Sequence, residues 1–344
     1  MEFISLHSHT CYSVLDGLSS VPELVARAKQ LGMPGLGITD HGTMTGVFKF
    51  YKECRAAGIN PIIGEEFYVA RRRMTDKTPA DRERYHLTVL AKDNVGLHNL
   101  FKLSTLSYTE GFYYKPRIDE PTLFKYKEGL IVLSGCHSSR LSQLLVGDPA
   151  KNRKADPAAA RELARQFQTE FGEDFYLELQ THGLVGLPKA WDEQVKLNRA
   201  LIELGQELGI KCVLTADNHY LDPEDVPLHE TLLAIGTNRD LDEDGRMSLE
   251  DFDLSFPDPN RLEPLLIANY GTTEYATNTL EINSKVDIQW EYGEHLLPRV
   301  DTGGISSLDY CRKLAYDGFQ RKCPAKLQDQ HYLDEVHYEL ETLD

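Results

Sequence analysis

His7 and His9 stand one residue apart, just after the first apolar run of the chain, Phe3–Leu6. In an extended backbone residues i and i+2 point to the same side, so both imidazoles can reach one ion. The same spacing returns at Asp217-Asn218-His219. Between them come Asp16, Thr39-Asp40-His41-Gly42, Gly64-Glu65-Glu66, Tyr85-His86 and Ser134-Gly135-Cys136-His137. Carboxylate, imidazole and thiolate together suit zinc, manganese or iron better than calcium. A single histidine at a strand end is more often a hydrogen-bonded structural residue than a ligand. That so many strand-like runs end or begin in such residues favours one metal site over many separate structural roles.

The elements that must position these residues alternate along the chain. Strand-like runs cover Phe3–Leu6, Gly35–Ile38, Pro61–Ala70, Leu87–Ala91, Gly129–Leu133, Phe175–Leu179 and Lys211–Thr215. They are continuous and β-rich, as strands buried on both faces are. Helix-like stretches lie between them at Val21–Leu31, Thr43–Ala57, Val95–Ser107, Pro157–Phe171 and Pro188–Leu208. Ser20 ahead of Val21-Pro22-Glu23 is a helix start, and Gly32 and Gly58 are helix stops. This alternation predicts a parallel α/β fold. No Gly-x-Gly-x-x-Gly follows the first strand and no Walker A sequence occurs, so a barrel is favoured over a nucleotide-binding doubly wound sheet. In such barrels functional groups collect at the C-terminal ends of the strands.

Asn238–Pro264 is acidic and interrupted by prolines, which predicts a surface excursion. Within it Asp240-x-Asp242-x-Asp244-Gly245 resembles the start of an EF-hand loop. Asp251 falls at the twelfth position, and Phe256-Pro257-Asp258-Pro259 would stop the second helix, so a solvated acidic loop is the reading. Leu308–Arg321 and Tyr332–Leu343 have apolar residues at helical spacing and follow the Leu296-Leu297-Pro298 break. They set a boundary near residues 285–300, with one domain at 1–285 and a helical segment at 286–344.

The composition is that of a globular protein: 344 residues, 41% hydrophobic and 26% charged, which excludes disorder and collagen. No apolar run approaches the ~18 residues of a membrane span, and the N-terminus has no secretory pattern. The six cysteines are scattered without a CxxC, which suits a reducing cytoplasm. Net charge is −17, so bulk charge does not hold a polyphosphate backbone. Bound divalent cations would offset part of it.

Taken in order, His-x-His, Thr-Asp-His-Gly, Gly-x-Glu, Tyr-His-Leu-Thr, Ser-Gly-Cys and Asp-x-His resemble the polymerase and histidinol phosphatase (PHP) domain family. The strings LHSHTCYSVLDG, GITDHGTMTGVFKFYKEC, YHLTVLAKDNVGLHNL, FYLELQTHG and LLPRV narrow the resemblance to the N-terminal part of bacterial replicative DNA polymerase III alpha subunits. The resemblance covers essentially the whole chain. It implies a distorted (β/α)7 barrel followed by a helical lead-in to a polymerase palm.

It also implies a ligand set: His7, His9, Asp16, His41, Glu66 rather than Glu65, His86, Cys136, Asp217 and His219. By the family pattern these hold three divalent metal ions, zinc, manganese or iron. His7, His9, Glu66 and Asp217 take one; Glu66, as a bridge, takes a second with His86 and Cys136; Asp16, His41 and His219 take the third. Some family members have lost several of these residues; here every position is filled.

The implied activity is metal-dependent phosphodiester hydrolysis, as 3′–5′ exonucleolytic proofreading. Its partners are DNA at the primer 3′ end, the rest of the polymerase chain and the replisome, and no membrane. The chain stops before the palm aspartates the family needs, so polymerisation by itself is not expected. Asp40, beside a ligand position, suits orientation of that ligand, or equally ordinary turn chemistry. Arg71, Arg72 and Arg73, with Lys115 and Arg117 beside Phe112, Tyr113 and Tyr114, are candidate substrate contacts, with ordinary charged loops as the competing and slightly favoured reading for each cluster. His182 is a substrate contact or a structural residue. Two other readings compete: a phosphoesterase for a small phosphate ester, and a non-catalytic scaffold that the metals stabilise.

Overall fold

The computed structural model describes residues 1–148, 152–182, 188–293 and 298–343. The chain divides into two units, Met1–Trp290 and Glu291–Asp344. The strands are β1 (Gly35–Ile38), β2 (Asn60–Ala70), β3 (Arg84–Ala91), β4 (Arg117–Ile118), β5 (Leu130–Leu133), β6 (Phe175–Gln180) and β7 (Cys212–Thr215). The helices are α1 (Val21–Gln30), α2 (Val47–Ala57), α3 (Asn94–Thr109), α4 (Glu120–Lys125), α5 (Arg140–Val146), α6 (Pro157–Phe171), α7 (Pro188–Leu208), α8 (Val226–Thr237), α9 (Pro259–Tyr270) and α10 (Glu274–Lys285) in the first unit. The second unit contains α11 (Ser307–Lys322) and α12 (Gln330–Thr342).

Local sequence sets the ends of these elements. Glu23 Oε2 accepts from both the backbone N–H and the hydroxyl of Ser20 and so closes the start of α1. The helix buries Val21, Leu24, Val25 and Ala28, one stripe at helical spacing. α2 buries Val47, Phe50, Tyr51 and Cys54 and stops at Gly58, whose φ of 77° is left-handed. No described helix is long and apolar enough to cross a membrane.

The sheet runs in the order β1-β2-β3-β5-β6-β7, with β4 paired to β2. It curls, and the N-terminal segment lies along both of its edges. Gly37 N donates to Ser5 O and Thr39 N to Ser8 O on the β1 side, and His9 N donates to Asn218 O beyond β7. Leu6 passes so close to β1 that a Cβ on Gly37 would lie 2.2 Å from the Leu6 carbonyl oxygen, so glycine is required there.

Three expectations change. Phe3–Leu6 is not a regular strand: Ile4 N goes to a side chain, Thr279 Oγ1, and just beyond the segment Ser8 N goes to Thr39 Oγ1. The sheet is mixed, with β3 antiparallel to both β2 and β5. The link from β2 to β3 holds one short turn of helix, Pro79–Arg82, and no crossover helix, so the chain returns as a hairpin. Finally, Asn238–Pro264 is only partly a surface excursion. Asp258 caps α9, which keeps Pro264 inside it and buries Leu262 and Leu266.

The first unit extends past Lys285. Ile288 is fully buried, Asp287 N donates to Lys92 O, and Trp290 N donates to Tyr51 Oη. In the second unit Ser306 caps α11, its hydroxyl accepting from Asp309 N.

Candidate metal centre

The ligand-type residues converge at one mouth of the curled sheet. His7 and His9 come from the segment between its edges, and Asp16 from the loop that follows. His41 lies just beyond β1 and bridges Glu66 within β2. Asp217 and His219 follow β7, where Asp217 has a φ of 50°, a left-handed conformation that aspartate tolerates better than most side chains. Cys136 follows β5. His86 opens β3, and the antiparallel course of β3 brings that start to the same mouth; His86 pairs in register with Tyr68 of β2.

The distances match metal coordination. Around a tetrahedral ion with bonds of 2.0–2.1 Å, neighbouring ligand atoms lie roughly 3.3 Å apart. His9 Nε2 is 3.1 Å from His7 Nε2, 2.9 Å from Asp217 Oδ1 and 3.5 Å from Glu66 Oε2. His7 Nε2 is 3.2 Å from Asp217 Oδ1 and 3.7 Å from Glu66 Oε2. A second cluster has His86 Nδ1 3.1 Å from Glu66 Oε1 and 3.5 Å from Cys136 Sγ. In a third region His41 Nε2 is 3.3 Å from Asp16 Oδ2. One nitrogen from each of His9, His41 and His219 also falls within a 4.8 Å group.

Hydrogen bonds behind the candidate ligands set the tautomers of their neutral rings. His7 Nδ1 donates to Glu178 Oε1 at 2.6 Å. His219 Nδ1 donates to the Asp217 carbonyl at 2.7 Å. Ser13 Oγ donates to Asp40 Oδ1, so it accepts from His9 Nδ1 and from His41 N. Each of His7, His9 and His219 therefore keeps the Nε2 lone pair for the centre.

Charge leads to the same conclusion. Both Glu66 oxygens, Asp217 Oδ1 and His41 Nδ1 are buried without a hydrogen bond. His41 Nδ1 lies 2.5 Å from Glu66 Oε2, yet without hydrogen-bond geometry. An uncompensated buried carboxylate costs on the order of several kcal/mol. Burial alone would raise the Glu66 pKa, but His86, His41 and His7 hold it well below the ordinary range. Asp217 is likewise held low, against burial, by His7, His9 and His219. Burial, with His41 and His219 nearby, pushes His9 down to about 3, which keeps it a neutral donor. These carboxylates draw positive charge to one spot, and the residues present fit divalent metal ions.

A family model described as the PHP domain matches residues 5–182. The chain belongs to the PHP family. DNA polymerase III subunit alpha of Aquifex aeolicus is 37% identical over 99% of this chain. The proteins of that name from Thermus aquaticus and Treponema pallidum are 34% identical over 96% and 38% identical over 92%. The chain spans 30%, 27% and 26% of these three relatives.

Other residues singled out in the sequence of this PHP domain fall in different places. Asp40 touches no other candidate ligand side chain by hydrogen bond; it holds Ser13 and Thr10, and Ser13 holds His9. Arg71, Arg72 and Arg73 are engaged with Glu83, Asp81 and Asp119. Arg117 is fully buried and donates to the carbonyls of Gly111, Asp81, Met74 and Asp76. Its reading as a substrate contact is corrected: it fastens a loop and has no free edge. Lys115 lines the cleft above the centre, a cavity of about 540 Å³.

Glu178, which holds His7, was not among the residues singled out in the sequence. It is a carboxylate between Leu177 and Leu179 of β6, and that was the available signal. His182, also in the cleft wall, has a buried Nε2 without a hydrogen bond, 3.7 Å from Asp217 Oδ2.

Proposed function

We propose that this PHP domain hydrolyses phosphodiester bonds with bound divalent metal ions, removing nucleotides from the 3′ end of a primer strand. We place it within a bacterial replicative DNA polymerase alpha subunit, where the rest of that chain and the replisome are its partners. The observation that carries the reading is Glu66. Its buried carboxylate faces nitrogens of His7, His9, His41 and His86 without a hydrogen bond, beside a cleft of about 540 Å³. Relatives named DNA polymerase III subunit alpha support the placement.

His7, His9, Glu66 and Asp217 would hold one ion. Glu66, His86 and Cys136 would hold a second, and Asp16, His41 and His219 a third. Such ions, when bound, supply Lewis acidity toward phosphoryl oxygens and an acidified water nucleophile. The chain's own residues supply orientation. Glu178 and Ser13 hold His7 and His9, and Gln180 Nε2 holds the outer oxygen of Asp217 at 3.2 Å. His182, which burial keeps neutral, would accept at Nε2 from a substrate hydroxyl at the cleft wall.

The test uses protein grown with ample metal and a primer–template with a mismatched 3′ terminus. Release of the terminal nucleotide is expected, lost on chelation, with close to three metal equivalents by elemental analysis. Chelation should also lower the melting temperature, because the ions bind only the folded chain. Less than one metal equivalent sinks the proposal. Turnover of sugar phosphates without DNA hydrolysis favours the small-ester enzyme. A fall in melting temperature with no hydrolysis at all favours the scaffold.

A further inference from the structure

Tyr68 stands two residues beyond Glu66 on β2, so the two side chains share one face. Its ring lies 6.0 Å from that of His41, nearly parallel, and 5.2 Å from that of His86. It therefore forms part of the cleft floor beside the candidate ligands. Two cations sit against this same ring: Arg84 Cζ at 5.2 Å and Lys115 Nζ at 5.6 Å from its centroid.

These cations differ from those around them. The guanidinium groups of Arg71, Arg72 and Arg73 meet carboxylates, and that of Arg117 meets carbonyls. Among the described residues no carboxylate or carbonyl pairs with the Lys115 ammonium, although the side chain is half-buried. Arg84 gives one amino group to the Arg82 carbonyl, and its Nε is buried without a partner. Burial and the neighbouring Arg84 lower the Lys115 pKa, against the opposing pull of Asp16.

The backbone is built to present Lys115. Tyr114, just before it, has a φ of 63°, a costly conformation for a bulky residue. Tyr113 N donates to the Lys115 carbonyl and closes this turn. Arg82 holds it from outside, donating to Tyr114 Oη. On the inner side Gly42, at φ 59°, has no Cβ; one there would lie 2.9 Å from Pro116 and 3.1 Å from Tyr68. The turn can thus pack directly on the loop that carries His41.

The same cleft is also lined by the apolar side chains of Leu15, Leu233, Met247, Leu249, Phe252 and Leu254. Its cations suit phosphate oxygens and its apolar lining suits a base and sugar. We propose that Arg84 and Lys115, over the Tyr68 ring, form a second phosphate site. It holds the phosphate one nucleotide inward from the bond being cleaved, so the cleft selects a single-stranded DNA end over a phosphate monoester. This rests on the phosphodiesterase reading above.

The test is binding of a short, fluorescently labelled single-stranded DNA with a phosphorothioate at its 3′-terminal linkage, read by anisotropy on metal-loaded protein over a range of salt. Replacing both cations (Arg84→Gln with Lys115→Gln) should weaken binding by at least about tenfold. It should also reduce the slope of log K against log salt by about 0.7, the contribution of one phosphate contact on a single strand. Lys115→Arg should keep the parent slope, and Arg161→Gln, whose partner is Glu207, should change nothing. A deoxynucleoside monophosphate, with one phosphate, should bind parent and double variant alike.

Equal losses for monophosphate and DNA would overturn the proposal, because the cations would then act at the reacting phosphate. An unchanged slope in the double variant, or no DNA binding by the parent, overturns it as well. Hydrolysis of bis(4-nitrophenyl) phosphate by the parent is scored separately. If that diester is cleaved while DNA is not held, the second phosphate site fails and the hydrolase reading stands. If it is not cleaved while DNA binding follows the expected pattern, the site stands and the hydrolase reading fails.

Discussion

Glu178 accepts the Nδ1 proton of His7 at 2.6 Å, and three further donors complete its carboxylate. Thr215 Oγ1 donates to the same oxygen, and Thr88 Oγ1 and Gly135 N donate to the other. One buried carboxylate thus ties β3, the turn after β5, and β7 to the first candidate ligand of the chain. In its neutral form the His7 ring then carries its proton on Nδ1 and leaves Nε2 free.

Glu178→Gln should therefore cost metal rather than fold. Threonine hydroxyls can rotate to accept from an amide, but His7 Nδ1–H and Gly135 N–H cannot. If its NH2 faces His7, the tautomer of His7 is released; if it faces Gly135, the turn that carries Cys136 loses its anchor. Metal affinity should fall about 10–100-fold, the usual range for such outer partners. Competition with a chromogenic chelator measures it, and unchanged affinity would show that Glu178 serves packing alone.

Asp217→Asn acts on the centre directly. The amide is nearly isosteric, and its oxygen can still accept from Gln180 Nε2. What it loses is the charge that faces His7 and His9 at 3.2 and 2.9 Å. Hydrolysis should drop at least about 100-fold (more than 2.7 kcal/mol in the barrier), while the melting temperature in chelator stays within a few degrees of the parent. Full activity with metal retained would refute the proposed site.

Glu65 gives stability an inverted pH dependence. It lies on the opposite face of β2 from Glu66, fully buried, with neither oxygen in a hydrogen bond. Burial pushes its carboxyl up from about 4.5 to about 8, so the folded state holds a proton that the unfolded chain releases. Stability from this group is complete below about 4.5 and is lost as pH rises through about 8, with a slope of up to about 1.4 kcal/mol per pH unit. Urea unfolding in chelator at several pH values should show this fall. Glu65→Gln, which carries no titrating proton, should flatten it; an identical slope in the variant would place the proton elsewhere.

Arg117 should prove structural. Its guanidinium donates to four backbone carbonyls while fully buried, and Asp81 and Asp76 supply carbonyls rather than a direct ion pair. Arg117→Met leaves those acceptors without donors in the interior. A loss of about 3 kcal/mol or more in urea unfolding is expected, with metal content unchanged. Destabilisation below about 1 kcal/mol would mean water replaces the guanidinium.

Which residues had the chemistry to bind metal was legible in the sequence. His-x-His, Asp-x-His and the histidine after β1 each follow an apolar run, and period-two geometry makes such pairs face one way. His86 carried a further signal that is clear only in retrospect. A ligand-type residue at the start of a strand, among others at strand ends, implies a strand that runs the opposite way, as β3 does. No pattern in the sequence separates Arg84 from Arg72, or Lys115 from Arg117. All are cations near aromatics or acids, and whether each is spent or free depends on which carbonyls and carboxylates the folded chain brings to it. Glu178 was hidden for the same reason. Local sequence determines which way a side chain points from its strand, but its partners come from residues up to 171 positions away, and only the closing of the sheet brings them together.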